Sequence, residues 1–476
     1  MAQRDILPPG IREEEDDSML PRIEDLRVVL KHVVADRAER GYVVEGFRER
    51  IAAAPESYDA LAALHRELDA APRRDDWPYV EPEELDAIWA ECPDLPADPV
   101  QTVDLDDAAR RAAAGFLGSV CGCVLGKPVE VRTTMAKLRA AAEAAGEWPI
   151  RDYLSEAMLD ALGDRHRSWP ESVRERIRFV ARDDDINYTV LGMLILEQHG
   201  IAFTRADVMQ MWLANLPLGY TFGPERMLLT RASAVGIAAR LHARRGLAGI
   251  GDDPEPVLAD LVASWNPGDE LCGAQIRADA YGYACAGRPR LAATLAWRDA
   301  GWTHRATGVY ATMFTAAAIA GAFVIDDPLE LCRMALCCVP QASRFRERVG
   351  DCLEQVAAAS DWQEGYRRIH DRYGCYGHCQ IYQETGTLIN TLRFAAGVEE
   401  GICMQVSQGN DTDSYGATAG SLLGVLHGRP PEGRWLAPFN DEIRTTVAGL
   451  YESSLTKVAD RMGRLPGLAA AQIDDG

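Results

Sequence analysis

The sequence lacks an excess of basic residues. Its 50 lysines and arginines are outnumbered by 72 aspartates and glutamates, which gives a formal net charge of −22 at pH 7. A protein whose main task is to bind the phosphates of a nucleic acid needs a basic surface. We therefore predict no nucleic-acid partner, and we expect the acidic surface to favour a cationic group or a divalent metal.

The sequence also lacks the marks of secretion. Its first residues, MAQRDILPPGIREEEDD, contain neither a basic stretch nor an apolar run of the kind that opens a signal peptide. We therefore expect a cytoplasmic protein. One uncharged stretch, residues 306–325, is long enough to span a bilayer. Its richness in alanine, glycine and threonine favours a buried helix instead, and no membrane partner.

The twelve cysteines follow no regular spacing, so they do not indicate a disulfide framework. In a reducing compartment we expect them to behave as small core residues. Four soft metal ligands crowd one stretch, HDRYGCYGHCQ (residues 370–380). Their spacing matches no standard zinc finger, and we favour core thiols with a capping histidine over zinc there.

Alternation of β-branched and polar residues with a period of two is scarce, whereas alanine- and leucine-rich runs repeat at helical spacing. This pattern predicts an all-α fold. Changes in composition divide the chain into three parts. We predict a helical extension with proline-rich connectors over residues 1–105, a larger helical domain over 106–465, and a flexible tail over 466–476.

Two stretches place a glycine at every fourth residue, GSVCGCVLG (residues 118–126) and GATAGSLLG (416–424). A spacing of four puts each glycine set on one face of a helix, where another backbone can approach closely. Each glycine costs a helix about 1 kcal/mol relative to alanine, so six in two runs need a structural reason. Close packing of both helices is the reason that we predict.

Acidic clusters precede two apolar helical stretches. Asp183, Asp184 and Asp185 lead into one, and Asp411, Asp413 and Ser414 lead into the second glycine run. Taken singly, each cluster is explained by capping of a helix N-terminus. Several adjacent carboxylates repel one another unless a cation lies among them, and magnesium or calcium binds such oxygens. If the two clusters face each other, they provide enough oxygens for two metal ions.

Three segments together resemble the ADP-ribosylglycohydrolase family in their order and spread. They are GFLGSVCGCVLGKPVE (115–130), DDDINYTVLGMLILE (183–197) and GNDTDSYGATAGSLLGVLHG (409–428). The resemblance implies an orthogonal all-α bundle with two magnesium ions in a central cleft, which makes 106–465 the catalytic domain. It also implies hydrolysis of the bond between ADP-ribose and an acceptor, either a protein side chain or a small molecule.

The resemblance implies a role for each matching residue. Glu130 would be catalytic, and Asp184 is the second choice for the base. One departure from the family pattern is Asp183, which stands where a threonine or serine is usual, so that metal binding is expected to differ. The metal ligands implied are Asp183, Asp184, Asp185, Asp411, Asp413 and Ser414.

The resemblance also implies a substrate-binding set. His304, Gly308 and Tyr310 follow a family-like pattern in which the histidine contacts ADP-ribose. The loop NPGDELCGAQIRAD (266–279) resembles the family loop around phosphate and ribose, with backbone amides at Gly268 and Gly273 near phosphate. The acids Asp269 and Glu270 in this loop would repel a pyrophosphate, unless they point away or the substrate differs. We include Asp269 among the candidate substrate-binding residues.

Two other functions are also compatible with the sequence. One is hydrolysis of a free NAD- or nucleotide-derived N-glycoside in small-molecule metabolism. The other is a non-catalytic descendant that binds ADP-ribose or serves a structural purpose.

Overall fold

The computed structural model describes residues 22–130, 133–232 and 262–474. Within these ranges the chain is mostly helical, and the two strands it contains have two residues each, which confirms the all-α prediction. Strand β1 (Thr133–Thr134) pairs antiparallel with β2 (Gly409–Asn410). In chain order the helices are α1 (Ile23–Glu39), α2 (Phe47–Ala53), α3 (Tyr58–Asp69), α4 (Leu85–Ala90), α5 (Leu105–Gly126), α6 (Met135–Ala145), α7 (Glu156–Leu162), α8 (Trp169–Ser172), α9 (Asp184–His199), α10 (Arg205–Asn215), α11 (Asp279–Ala284), α12 (Pro289–Ala300), α13 (Ala306–Gly321), α14 (Pro328–Leu336), α15 (Arg344–Ala357), α16 (Trp362–Tyr373), α17 (Tyr382–Phe394), α18 (Val398–Ser407), α19 (Thr412–His427) and α20 (Leu455–Asp474).

The described chain forms two compact units, and the main boundary between them follows Trp77. The smaller comprises the described part of Met1–Trp77 together with Ala263–Gly268. Its helices α1, α2 and α3 enclose a small apolar core that includes Leu30, Ile51 and Leu61. The ring of Trp265 stacks on His65 at 4.5 Å between ring centroids, and this contact joins the distant segment to the three helices.

The larger unit comprises the described part of Pro78–Val262 and Asp269–Gly476. It therefore begins at Pro78, whereas the sequence placed the start of the main domain at residue 106. Residues 466–474 were predicted as part of a flexible tail, but they continue helix α20, in which Pro466 and Ala469 are buried. The amphipathic pattern of this helix runs past the proline, and the structure follows the pattern.

The glycine runs bring α5 and α19 into antiparallel backbone contact. A Cβ atom on Gly118 would overlap the carbonyl of Gly420, and one on Gly122 would overlap that of Gly416. Thr412 Oγ1 donates to the carbonyl of Gly126 at 2.8 Å. The predicted close packing is confirmed. It places the C-terminal end of α5 directly beside the N-terminal end of α19.

Helix α13 is buried along its whole length, as predicted for residues 306–325. By length and composition, the described residues contain one helical stretch that could cross a membrane, Leu105–Val129. In this stretch, 83% of the apolar window is buried inside the protein. Its apolar character is therefore that of a core helix.

Candidate functional site

Lys127 stands at the centre of the acidic residues. It follows α5 in a short 3-10 turn, Lys127–Val129, and the α5/α19 contact brings it to the start of α19. Its Nζ lies 2.6 Å from Asp413 Oδ2, 2.7 Å from Asp183 Oδ2 and 2.8 Å from Glu130 Oε2. The side chain of Lys127 is 11% exposed. One ammonium group thus links three of the predicted site residues.

The first acidic cluster forms the start of α9. Asp183 caps the helix, and its Oδ1 accepts a hydrogen bond from the backbone N–H of Asp185 at 3.1 Å. Ser414 Oγ donates to Asp185 Oδ2 at 3.4 Å, so the two clusters meet. The other oxygen of Asp185 is buried and has no hydrogen-bond partner among the described residues. Capping of α9 accounts for the carboxylate of Asp183. It does not account for the buried oxygen of Asp185.

A cleft of about 270 Å³ opens beside these groups. That volume is near the lower end of the roughly 300–1,000 Å³ typical of ligand cavities. Asp183 and Asp185 lie behind its wall and are buried. The side chains that line the cleft include Lys127, Glu130, His166, Arg167, Asp184, Tyr188, Phe222, Glu225, Cys272, His378, Cys379, Asp411, Asp413 and Ser414.

The pKa values of the cleft carboxyls diverge. Burial raises the pKa of Glu130 to about 10, and the charge of Asp413 adds to this increase while Lys127 opposes it. Burial, followed by the charge of Asp183, raises the pKa of Asp184 to about 8. Burial acts in the same direction on Asp413, but the charge of Lys127 and the hydrogen bonds from Glu130, Lys127 and Asp411 together hold the pKa of Asp413 below its ordinary value. The cleft therefore contains both proton-holding and ionised carboxyl groups.

His304 does not line the cleft, and its contact with ADP-ribose stays a prediction. It is buried, and its Nδ1 lies 2.7 Å from Thr303 Oγ1 and 3.7 Å from Glu225 Oε1. It thus lies behind Glu225, which does reach the cleft. A Cβ atom on Gly308 would lie 2.9 Å from the His304 ring, so this glycine makes room for the histidine.

Two further candidate substrate-binding residues, Tyr310 and Asp269, also lie outside the lining of the cleft. Tyr310 donates its hydroxyl hydrogen to the carbonyl of Pro82 at 2.6 Å, and it does not line the cleft. Asp269 is buried 3.6 Å from Arg305 Nε and does not line it either. A motif gives the position of a residue on its element, but the packing decides which face meets the cleft.

Arginines pair with Asp269 and Glu270, the two acids of the 266–279 loop that would repel a pyrophosphate. Glu270 pairs with Arg344, at 2.5 Å between Oε1 and Nη2, as Asp269 does with Arg305. Their side chains thus point away from the cleft, which was one of the two alternatives left by the sequence. Gly273 does line the cleft, where a Cβ atom would lie 2.5 Å from Glu225 Oε1. Gly268 belongs to the smaller unit, and its N–H donates to Asp36 Oδ2 at 2.8 Å.

Sequence reasoning missed several groups of the site. Lys127 lies inside the recognised segment GKPVE, but we assigned the compensating charge to a metal and not to this residue. Glu384, at the start of α17, is buried, and its Oε1 accepts from the N–H groups of Asp411 and Cys379 at 3.0 and 3.1 Å. No motif marks Glu384, because its contact with Asp411 joins two segments that are distant in sequence. His166 is also unmarked, and its Nδ1 lies 3.7 Å from Glu130 Oε2.

Similarity to known proteins indicates a family for this chain. A solved structure described as an ADP-ribosylglycohydrolase-related protein complex is 20% identical, covers 76% of this chain and 99% of its own, and has a TM-score of 0.40. No curated protein matches the chain. Residues 104–466 match the model of the family described as ADP-ribosylglycohydrolase. Because that match spans most of the chain, the protein belongs to the ADP-ribosylglycohydrolase family, and this membership indicates a glycohydrolase.

Proposed function

We propose that this protein hydrolyses the glycosidic bond between ADP-ribose and an acceptor, in the cytoplasm. The observation that carries the proposal is the meeting of Glu130 and Asp184 in one cleft, both with a raised pKa. Enzymes that cleave a glycosidic bond usually use two carboxyl groups with different proton affinities. Family membership gives the class of bond, and these two residues give the chemistry.

The two carboxyls take different roles because their pKa values differ. Glu130 has the higher pKa, near 10, so it keeps its proton at neutral pH and donates it to the departing acceptor. Asp184, with a pKa near 8, is the group that takes a proton from the attacking water. The ionised carboxylate of Asp413 stabilises the positive charge that develops at the anomeric carbon.

Cationic and aromatic groups around the cleft suit the rest of the substrate. The exposed guanidinium of Arg167 lines the cleft and suits phosphate oxygens. His166 lines it as a neutral group, because burial and the charge of Lys127 lower its pKa. The rings of Tyr188 and Phe222 also line it, and Phe222 is 42% exposed. Such a ring offers a flat face for a base or a ribose. These contacts favour a nucleotide-sugar over a simple glycoside.

The expected pair of magnesium ions does not fit the donors as they stand. Lys127 already takes one oxygen each from Asp183, Asp413 and Glu130. A hard cation at that point would lie against an ammonium group and would compete for the same oxygens. Three groups of acidic, cysteine and histidine side chains in the described ranges are close enough to hold a metal ion, and two of them include Asp183 or Glu130. We propose that the cleft takes at most one metal ion, and the proton transfers proposed above use only groups of the chain.

The proposed function is tested with the full chain and three substrates: an ADP-ribosyl-arginine peptide, an ADP-ribosyl-serine peptide and NAD. Release of ADP-ribose is followed by chromatography. We expect release from at least one substrate, its loss in Asp184→Asn, and its retention in the control Asp326→Asn, which changes an exposed acid outside the cleft. Preference for NAD would point to small-molecule metabolism.

Two outcomes would contradict the proposal. One is equal turnover by the wild type and a folded Asp184→Asn variant, which would remove Asp184 from the mechanism. The other is tight binding of ADP-ribose by calorimetry with no release from any of the three substrates, which would indicate a non-catalytic binding protein.

A further inference from the structure

Two cysteines converge on one oxygen of Asp411. Cys272 Sγ lies 3.1 Å from Asp411 Oδ2, and Cys379 Sγ lies 3.4 Å from the same atom. All three ligand atoms lie within 4.8 Å of one another. The two sulfurs come from segments far apart in sequence. Their meeting is therefore a product of the fold and not of a short motif.

The backbone holds these groups in place. The N–H of Cys272 donates to the carbonyl of Cys379 at 3.1 Å, which ties the two cysteine segments together. The buried carboxylate of Glu384 accepts from the N–H groups of Cys379, Ile381 and Asp411, at 3.1, 3.3 and 3.0 Å. Cys379 and Ile381 have φ angles of 65° and 63°. Side chains rarely adopt this left-handed conformation, so the position of Cys379 is fixed at a cost in backbone strain.

A histidine lies near the carboxylate of Asp411. His378 precedes Cys379, and one of its ring nitrogens lies within 4.8 Å of carboxylate oxygens of Asp411 and Glu130. Its Nδ1 is buried, and it has no hydrogen-bond partner among the described residues. A buried ring nitrogen without a partner is costly, unless something else occupies its lone pair or takes its hydrogen.

The spacing of these donors matches zinc. Tetrahedral zinc has Zn–S bonds of about 2.3 Å and Zn–O bonds of about 2.0 Å, which separates bound sulfur and oxygen by about 3.5 Å. The observed separations of 3.1 and 3.4 Å are close to that value. Thiolate and imidazole ligands select zinc over magnesium, which prefers oxygen. The alternative is that both thiols only donate hydrogen bonds to Asp411.

We propose that Cys272, Cys379 and Asp411, with His378 as the fourth donor, form a zinc site in the wall of the cleft. This site differs from the magnesium set expected from the acidic clusters, with which it shares only Asp411. The ammonium group of Lys127 pairs with Asp183, Asp413 and Glu130, and Asp411 is not among these partners. The zinc site rests on these donors and not on the proposed reaction.

The test measures metal directly on the full, tag-free chain purified without chelator. We expect about one zinc per chain by mass spectrometry of metals, and a thiolate-to-metal charge-transfer band when cobalt replaces zinc. Cys272→Ser and Cys379→Ser should each lower zinc affinity by more than the roughly 10- to 100-fold typical of residues that only support a ligand. The matched control is Cys375→Ser, an exposed cysteine in the same segment, which should leave affinity unchanged.

The cobalt spectrum needs no variant, so the proposal can fail even if the serine variants do not fold. Cobalt bound without a thiolate band would overturn it, as would equal zinc affinity in the wild type and a folded Cys272→Ser variant; either result would leave hydrogen bonds to Asp411 as the role of both thiols. Zinc binding without release of ADP-ribose would contradict the proposed function and support the zinc site. Release of ADP-ribose by a chain that binds no zinc would support the proposed function and contradict the zinc site.

Discussion

Asp411 and Asp413 stand two residues apart at the start of α19 and meet different chemistry, on what we call the thiol side and the Lys127 side. Lys127 contacts Asp413 and helps to hold its pKa below the ordinary value. Asp411 is met by two thiols and lies near His378, and burial raises its pKa to about 6. Neighbouring segments therefore decide what each carboxylate does, although one motif supplies both.

The largest expected effect comes from breaking the scaffold that both sides share. In Gly122→Val the new side chain meets the backbone of Gly416, and neither helix can yield without moving the site. We expect the free energy of unfolding to fall by more than about 4 kcal/mol, measured by chemical denaturation. Gly350→Ala on α15 is the control, because nothing lies within 4 Å of its Cβ position. Alanine there should stabilise by up to about 1 kcal/mol. Equal stability of the two variants would show that the close approach of α5 and α19 is not needed.

The second prediction concerns the Lys127 side and removes its ammonium group. Lys127→Met leaves the buried carboxylates of Asp183 and Asp413 without their cation. Loss of one partner of a buried ion pair costs about 3–5 kcal/mol, so the melting temperature should fall sharply. Added magnesium or manganese should raise the melting temperature of the variant more than that of the wild type, because a divalent ion can then take the ammonium position. Lys137→Met, on the exposed face of α6, should change little. An unchanged melting temperature in Lys127→Met would contradict the central role of this lysine.

The third prediction concerns catalysis on the Lys127 side. Because Asp184 must be ionised and Glu130 protonated, kcat/KM should fall below a pH of about 8 and again above about 10. A bound cation should move both limbs to lower pH. Glu130→Gln should remove the alkaline limb and cost about 10²- to 10⁴-fold with a poor leaving group. With NAD, whose nicotinamide leaves without a proton, the loss should be smaller. An equal loss on all substrates would indicate that Glu130 positions a group and does not act as the acid.

The contrast between the two sides also shows how much of the fold and of the site can be predicted from the sequence. Helical period predicted the all-α fold, and the four-residue glycine spacing predicted the α5/α19 contact, because both are local patterns with one structural meaning. The resemblance to the family selected Glu130, Asp184, Asp411 and Asp413, all of which line the cleft. His304 does not line it, because a shared motif does not fix which face of an element is covered.

The thiol side could not be predicted for a related reason. Cys379 was considered as a zinc ligand with its sequence neighbours, of which Cys375 is exposed and His370 bonds to Gln383. Its nearest sulfur partner is Cys272, from a different segment. Contacts of this kind depend on long-range packing and on a left-handed backbone at Cys379, and neither leaves a periodic signal in the chain.

The smallest expected effect separates the two sides most cleanly. Glu384 contacts no proposed ligand atom, but its carboxylate fixes the backbone of both Cys379 and Asp411. Glu384→Gln keeps the shape and loses one acceptor oxygen, so the three N–H groups compete for fewer partners. Zinc affinity should fall by about 10-fold, as for other residues that support a ligand, measured by competition with a chromophoric chelator. The same variant should leave the Lys127 side unchanged, so the pH limits of kcat/KM should stay in place. If zinc affinity stays constant while those limits move, Glu384 acts through the charge of the cleft and not through the position of Cys379, and the two sides are coupled.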